Sequence, residues 1–312
     1  FMIFMLTVVL LVNVFSFGVL GEVGFGVHNL NSGLSYPSIQ EAIRANETLD
    51  GHTIFVDAGV YRENVVVDKS VSLVAKEGFS VVIDGGGKGT IISVVAKNVN
   101  ITGFVVQNSL MEPDYCGIFL DRSSGCVLGN NIVKNCYYGA RLNYAQNNIL
   151  VNNTFSDCSY GVWLAYSERN VLSKNWVLNN KYVGLHIRPA SHNILSQNIV
   201  LNNTNGIYIL ESANNSVTEN RAFNNSFGIW LGACVNNFVC RNEVYNNTYG
   251  IRLATSSTNM VLENNLERNG FGISLQGSQN NFIFHNDFFN NSGQLTADLA
   301  NFLDNGMEGN YW

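Results

Sequence analysis

Gly117-Ile118-Phe119-Leu120 is the first of eight copies of one short phrase: glycine, an aliphatic residue, any residue, then leucine or isoleucine. The later copies begin at Gly139, Gly161, Gly184, Gly206, Gly228, Gly250 and Gly272. Six of the seven intervals are 22 residues and one is 23. A fixed short period is typical of a solenoid, in which each repeat is one structural unit stacked on its neighbours.

Asparagines recur in the same register between these glycines. One series comprises Asn131, Asn153, Asn175, Asn198, Asn220, Asn242, Asn264 and Asn286. A second comprises Asn148, Asn170, Asn193, Asn215, Asn237, Asn259 and Asn281, with Cys126 in its first position. A stacked amide can donate to one neighbour and accept from the other, so a column of asparagines satisfies a corner that is closed to water.

The 22-residue unit contains short alternating runs such as Asn237-Phe238-Val239-Cys240, and no window has sustained helical periodicity. Runs of this length, separated by Asn, Ser and Gly, indicate one coil of a parallel β-helix. We therefore predict an all-β fold, a right-handed single-stranded parallel β-helix of 22-residue coils. Equivalent strands then lie about 4.8 Å apart, and aliphatic residues at alternate positions fill the interior.

Two parts are expected along the chain. Residues 1–21 are apolar and uncharged, which indicates a signal peptide or, alternatively, a membrane anchor. Residues 22–312 form the β-helix domain, with a capping helix at 36–45, irregular entry coils at 51–108, regular coils at 109–291 and a C-terminal coil at 292–312 that looks cut short. In the capping helix, Ile39, Ala42 and Ile43 share one face, Pro37 suits the first turn, and Ser38 with Glu41 has capping-box spacing.

The composition of the chain limits the kinds of partner it can bind and indicates its cellular location. Only 13% of residues are charged, the formal net charge is −6, and no basic stripe exists, so nucleic acid is excluded as a partner. The apolar leader favours an extracytoplasmic location. The six cysteines form no disulfide framework. Cys136 and Cys158 occupy equivalent positions on adjacent coils, close enough to bond or to stack, and we expect buried thiols.

Several segments resemble a known family. Ser38–Ile43 and Gly51–Tyr61 resemble the entry coil of NosD-like right-handed β-helix proteins, and Asp68–Leu73 and Ile83–Gly86 resemble the next coils. Gly309–Trp312 is similar to the family's C-terminal signature. The repeats resemble the family's carbohydrate-binding and sugar-hydrolysis repeats, on a pectate-lyase-like superfold. The resemblance covers nearly the whole chain after residue 33. It implies periplasmic copper delivery to nitrous oxide reductase.

The residue two places after each repeat glycine is expected to face outward, opposite to its buried neighbours. This outer strip comprises Phe119, Arg141, Trp163, His186, Tyr208, Trp230, Arg252 and Ser274. Aromatic faces can stack on pyranose rings and arginine can pair with acidic sugars, so the ligand-binding candidates are Arg141, Trp163, His186, Tyr208, Trp230 and Arg252. The alternative is plain cross-strand packing multiplied by repeat duplication. A second row, one residue before the glycines, is expected to pack at a corner: Tyr138, Tyr160, Phe227, Tyr249 and Phe271.

Catalysis on this fold would need converging charged groups. The weak candidates are Glu112, Asp114, Asp121 and Arg122, near Arg141, because a loop inserted at 109–114 could build a site there. Copper would need clustered His, Met or Cys ligands. The histidines are scattered (His28, His52, His186, His192, His285), so we expect neither a metal nor a cofactor.

Eight Asn-x-Ser/Thr sequons occur, at Asn46, Asn100, Asn152, Asn202, Asn214, Asn224, Asn246 and Asn290. In an asparagine-rich repeat most are expected to be accidental, although some surface decoration remains open. The leading hypothesis is a secreted or cell-surface, non-catalytic β-helix that binds polysaccharide along the outer strip. The alternatives are a polysaccharide lyase, hydrolase or epimerase, and a NosD-like copper-handling accessory protein. A purely structural spacer or adhesin also remains open.

Overall fold

The computed structural model describes residues 26–312, so the expected leader at 1–21 lies outside the described residues. The described chain winds into a parallel β-helix whose second and third sheets each contain eleven strands, one per coil. The predicted fold class is confirmed. Among the described residues, no helix is long and apolar enough to cross a membrane.

Each coil contributes one strand to each of three sheets. The first sheet comprises Val27–Asn29, Leu34–Tyr36, Thr53–Val56, Ser72–Ala75, Asn100–Thr102, Val127–Gly129, Ile149–Val151, Val171–Ser173, Ile194–Ser196, Ser216–Thr218, Phe238–Cys240, Met260–Leu262 and Phe282–Phe284. The second comprises Gly59–Tyr61, Val81–Asp84, Val105–Gln107, Ile132–Lys134, Thr154–Ser156, Trp176–Leu178, Ile199–Leu201, Arg221–Phe223, Glu243–Tyr245, Asn265–Glu267 and Asp287–Phe289. The third comprises Val65–Val67, Ile92–Val94, Cys116–Asp121, Tyr138–Asn143, Tyr160–Ala165, Val183–Ile187, Asn205–Leu210, Phe227–Gly232, Tyr249–Ala254, Phe271–Gln276 and Gly293–Ala297.

Like residues stack on like residues along the axis. Ile229, for example, pairs with Ile207 on one side and with Ile251 on the other, and all three are fully buried. Within a strand the inward residues alternate with a half-exposed one, as in Ile229, Trp230 and Leu231. Because every coil repeats this pattern, the buried aliphatic side chains form one continuous core along the solenoid.

Asparagine ladders close the corners between the sheets. Asn220 is typical: its Nδ2 donates to Leu195 O at 2.8 Å and to Asn242 Oδ1 at 3.0 Å. Its Oδ1 accepts from the backbone N–H of Asn198 at 3.0 Å and from Asn198 Nδ2 at 2.9 Å. The series that contains Asn220 lies at the first corner, between the first and second sheets. The series that begins with Asn148 lies at the third corner, between the third and first sheets.

A third ladder, absent from the sequence analysis, lies at the second corner, between the second and third sheets. Its buried members are Asn180, Asn203, Asn225, Asn247, Asn269 and Asn291. Cys136 and Cys158 occupy the two preceding positions, and the N–H of Cys158 donates to Asn180 Oδ1 at 3.1 Å. The six asparagines recur at intervals of 22 or 23 residues without interruption, so this ladder was also visible in the sequence.

The residue before a ladder asparagine adopts a left-handed backbone. Asn224 has φ 55° and Asn246 has φ 54°, and Glu219 occupies the equivalent place at the first corner with φ 57°. Asparagine tolerates this conformation better than most residues, which accounts for the many Asn-Asn pairs.

The repeat glycines lie where an added side chain would collide with the backbone of the next coil. A Cβ added to Gly206 would lie 2.6 Å from Gly228 O and 3.0 Å from Asn225 Nδ2. The glycine therefore lets the chain pass beside the second-corner ladder, and the repeated phrase records this steric requirement.

The cap on the first coil consists of a shorter helix than predicted and an additional hairpin. The helix spans only Ile39–Arg44, with Ser38 as N-cap accepting from the N–H of Glu41 at 3.2 Å, and Pro37 lies outside it. The Glu63 carboxylate accepts from two free N–H groups of the first turn, at 3.0 and 2.9 Å. An antiparallel hairpin, Val27–Tyr36, which was not predicted, pairs with Thr53–Val56 and so covers the sheet edge.

All six cysteines are free and buried, which confirms the expectation of buried thiols. Burial raises the pKa of Cys116 to about 12 and that of Cys234 to about 11. Such thiols remain protonated at neutral pH and behave as small apolar side chains.

Candidate functional site

The outer strip lies on the outer face of the third sheet, in unbroken register. Consecutive strip residues are paired across parallel strands from Phe119 through to Ser274. With strands about 4.8 Å apart, the eight residues extend over roughly 34 Å along the axis. The predicted outward orientation holds, although His186 is only 6% exposed because its neighbours cover it.

The rings of the strip stack on one another. Ring centroids are 4.6 Å apart between Trp163 and His186, 5.1 Å between His186 and Tyr208, and 4.5 Å between Tyr208 and Trp230. The faces that a pyranose would use are therefore occupied by neighbouring rings, which differs from the expectation of free aromatic faces. Trp163, Tyr208 and Trp230 are half-buried, and the indole nitrogens of the two tryptophans are buried.

Arg141 closes one end of the ring stack. Its guanidinium lies 6.0 Å from the ring centroid of Trp163 and 5.4 Å from that of Tyr138. Asp114, from the inserted loop, contacts Arg141 Nη1 at 2.9 Å and is itself 82% exposed. The result is a cation held between aromatic rings and neutralised from one side by a solvent-facing carboxylate.

Arg252 closes the other end in the same way. Its guanidinium lies 5.2 Å from the ring centroids of both Trp230 and Tyr249, and 5.3 Å from that of Phe227. Arg252 Nη2 donates to Gln276 Oε1 at 2.6 Å. Here a neutral amide replaces the carboxylate, so this arginine keeps its full charge for an outside partner.

The second aromatic row belongs to the same surface. Its residues lie on the third-sheet strands and contact the outer strip, as in Tyr138 with Trp163 at 5.0 Å and Phe227 with Trp230 at 4.7 Å. Phe227, Tyr249 and Phe271 also stack on one another at 5.0 and 5.2 Å. The two rows therefore form one aromatic band, wider than the single strip expected.

Polar atoms without partners are concentrated on this band. Among the described residues, the buried side-chain atoms without a hydrogen bond include Trp163 Nε1, Trp230 Nε1, both ring nitrogens of His186, Arg141 Nε and Arg252 Nε. Burial, with a smaller contribution from the Arg188 cation, lowers the pKa of His186 to about 4, so the ring is neutral at pH 7. A hydroxyl-rich ligand with a small adjustment of side chains would satisfy atoms that the fold leaves unpaired.

The catalytic candidates do not converge. Asp114 lies just before the strand Cys116–Asp121, whereas Asp121 ends that strand, five residues or roughly 16 Å beyond Cys116. Asp121 accepts from Asn143 Nδ2 at 3.2 Å, and Arg122 lies 5.9 Å from the ring centroid of Tyr144. Glu112 is exposed in the loop. The structure therefore gives two separate contacts, Asp114 with Arg141 at 2.9 Å and Asp121 with the adjacent Arg122 at 3.9 Å, and not one cluster.

An exposed aromatic pair outside the aromatic band was not predicted from the sequence. Tyr144 and Tyr166 stack with centroids 4.8 Å apart and are 49% and 56% exposed. With Glu168 and Pro189 they line a surface cavity of about 330 Å³. Their spacing of 22 residues is a visible signal, because equal residues at the repeat distance become stacked neighbours.

Copper does not fit the donors present. In the range 26–312, no three His, Cys, Asp or Glu side chains form a group able to hold a metal. His186 is enclosed by the rings of Trp163 and Tyr208, which offer no second ligand.

The eleven-strand sheets and the ladders define a right-handed parallel β-helix, a class that the family comparisons also identify. Residues 80–234 match the family described as right handed beta helix region, and residues 177–312 match the one described as periplasmic copper-binding protein (NosD). Together with the fold, these two matches support a relationship to the NosD-like right-handed β-helix family.

One curated relative shares part of the sequence, and two solved structures share the fold. A cell surface glycoprotein of Methanothermus fervidus is 32% identical over 123 residues, which is 39% of this chain and 19% of the relative. The Azotobacter vinelandii mannuronan C-5 epimerase AlgE4 A-module superposes with TM-score 0.67 at 15% identity, covering 90% of this chain and 96% of that one. The Dettilon tailspike protein gives TM-score 0.65 at 16% identity, covering 76% and 55%. The chain thus spans about a fifth of the curated relative it matches.

Proposed function

We propose that this protein is a secreted or surface-held β-helix that binds polysaccharide along the aromatic band and carries no catalytic centre. The observation that carries the proposal is the run of six strip residues from Arg141 to Arg252, in register on consecutive coils, with a cation at each end. The matched relative named as a cell surface glycoprotein supports the extracytoplasmic location.

The stacked geometry indicates how the ligand would be held. Because ring faces are occupied, a glycan lying along the axis would contact ring edges and the two arginines. After a small adjustment of side chains it would also receive hydrogen bonds from Trp163 Nε1 and Trp230 Nε1, which are buried in the unliganded protein. Arg252, which has no carboxylate partner among residues 26–312, favours an acidic sugar at that end. We expect binding to weaken with salt, since the charged contacts are close to solvent.

The test is retention on a panel of neutral and acidic polysaccharides. The Trp163→Ala/Trp230→Ala double variant should lose at least tenfold in retention, and Arg252→Gln should weaken acidic ligands selectively. Trp176→Ala is the matched control, because Trp176 is 51% exposed on the second sheet, away from the band. Circular dichroism checks each fold. Unchanged retention by a folded double variant would contradict the proposal.

An enzyme acting on polysaccharide is the second candidate, favoured by the contact between Asp114 and Arg141 beside the band. A carboxylate paired with a guanidinium could serve as a base next to a bound uronate. The fold neighbours include epimerases, at identities that carry the fold alone. New reducing ends or unsaturated uronates in the retention samples, abolished by Asp114→Asn, would establish this reading in place of the first.

A further inference from the structure

The sequons, which the polysaccharide proposal does not use, are distributed unevenly over the coils. Four of the eight lie at the second corner, on Asn202, Asn224, Asn246 and Asn290. Each of these residues is exposed, has φ of 54–55°, and immediately precedes a buried asparagine of the second-corner ladder. They therefore form one column of acceptor amides on one edge of the solenoid.

The fold explains both asparagines of each sequon but not its hydroxyl. The ladder requires the second asparagine, and the left-handed backbone favours the first. The third residue is exposed and lies outside the strands in all four: Thr204, Ser226, Thr248 and Ser292. Thr204 Oγ1 donates to Lys181 O at 2.8 Å, whereas the other three hydroxyls make no hydrogen bond to any described residue.

The remaining sequons are placed less favourably. At Asn46 the hydroxyl belongs to Thr48, which is 1% exposed and donates to Ala42 O. At Asn100 the whole sequon is a strand of the first sheet. At Asn152 and Asn214 the amide is exposed, but the hydroxyl residue is already the first residue of a strand. Only the second corner presents amide and hydroxyl together in a loop, the setting in which an acceptor sequon is accessible.

We infer that the second corner is an N-glycosylation edge, modified at Asn290 and along the column Asn202, Asn224 and Asn246. In the reaction the side-chain nitrogen attacks the anomeric carbon of a polyprenyl-phosphate- or pyrophosphate-linked oligosaccharide. The new bond joins Nδ2 to that carbon, the bond from the carbon to the phosphate oxygen breaks, and the lipid phosphate leaves as the amide loses one proton to the transferase.

Spacing limits how many glycans one chain carries. Asn202, Asn224 and Asn246 lie on consecutive coils about 4.8 Å apart, closer than a branched glycan is wide, whereas Asn290 is two coils, or roughly 10 Å, beyond Asn246. The surface around Asn202, Asn224 and Asn246 is polar and wide open to solvent, which gives the first sugars room. We therefore expect Asn290 to be glycosylated independently of the others. A glycan on one of Asn202, Asn224 and Asn246 should hinder glycosylation of its neighbours.

The experiment expresses the chain in a host that N-glycosylates secreted proteins, with one reporter sequon on a flexible C-terminal tail, and maps glycopeptides by mass spectrometry. Glycans should be found at Asn290 and at one or two of the crowded sites. Thr248→Ala should remove the Asn246 glycan and raise occupancy of Asn224, while Thr248→Ser should leave the pattern unchanged.

Both threonine variants keep the ladder, and thermal unfolding of the two should agree. An occupied reporter beside four bare second-corner asparagines would overturn the inference, as would glycans confined to Asn46, Asn100, Asn152 or Asn214. The result is independent of the polysaccharide proposal, because protein from a non-glycosylating host tests that proposal separately.

Discussion

At the scale of single residues, Gly206 and Gly129 are two strand glycines with opposite steric surroundings. A Cβ at Gly206 would lie 2.6 Å from Gly228 O, a backbone atom that cannot move away, whereas a Cβ at Gly129 meets nothing closer than 3.7 Å. Gly206→Ala should destabilise the fold by about 1–3 kcal/mol. Gly129→Ala should stay within about 0.5 kcal/mol of the parent. Denaturant unfolding followed by circular dichroism measures both, and equal losses would contradict the steric explanation.

His186 provides a prediction on pH. Its folded pKa of about 4 lies below the value near 6.5 expected in the unfolded chain, so the unfolded state takes up a proton first as the pH falls. Stability should therefore drop between about pH 6.5 and pH 4, by about 3 kcal/mol at the lower end. His186→Phe keeps a ring in the stack and removes this component.

The comparison that isolates His186 is the difference in unfolding free energy between parent and His186→Phe at pH 7, 5.5 and 4. Carboxylates titrate in both proteins and cancel in that difference. His192→Asn is the control, because His192 is exposed with φ 59°, a conformation that suits asparagine. A difference that stays constant with pH would contradict the burial of a neutral ring.

The sequence predicts the direction in which a strand side chain points, but not which neighbours cover it. The outward orientation of Trp163 and Tyr208 followed from strand alternation alone. The occupation of their faces did not, because it depends on the rotamers that adjacent coils select together. The contact between Asp114 and Arg141 could be predicted, because the inserted loop and Arg141 lie on adjacent coils.

At the scale of elements, the second-corner ladder stops at Cys158 for want of an amide. An asparagine there could donate to Asn180 Oδ1 and to Val133 O, as each ladder member does to its neighbours, and accept from the N–H of Cys136. Cys158→Asn should therefore stabilise the chain by about 1 kcal/mol. Cys158→Ala, which adds no donor, should be neutral or destabilising. Thermal unfolding under reducing conditions compares them, and a loss with Cys158→Asn would contradict the ladder argument.

Some of the strands and ladders could be predicted from the sequence, and others could not. The strands and two ladders were predicted because one residue type recurred without interruption. The third ladder was missed although it was equally visible, since its asparagines, from Asn180 to Asn291, recur at the repeat distance after Cys136 and Cys158. The hairpin Val27–Tyr36 was missed because it pairs antiparallel and shares no register with the repeat.

At the scale of the whole molecule, the repeat determined the architecture before any contact was known, since each coil contacts mainly its neighbours. Function was less accessible for the same reason. Most recurring residues, such as Gly206 and Asn220, are required for the stacking of the coils. Only positions that stacking does not constrain can indicate a function. The hydroxyls of the second-corner sequons and the rings of the aromatic band are such positions.

The nearest-neighbour stacking of the coils also has a mechanical consequence. A molecule pulled from its two ends loads one inter-coil seam at a time, so the solenoid should peel open coil by coil instead of rupturing at once. Each 22-residue coil releases roughly 75 Å of extended chain. Single-molecule stretching should record a train of evenly spaced, similar force peaks, whereas one large peak would indicate a load shared across the whole stack. Such a protein would act as an extensible tether that yields in steps and rewinds when the tension is released.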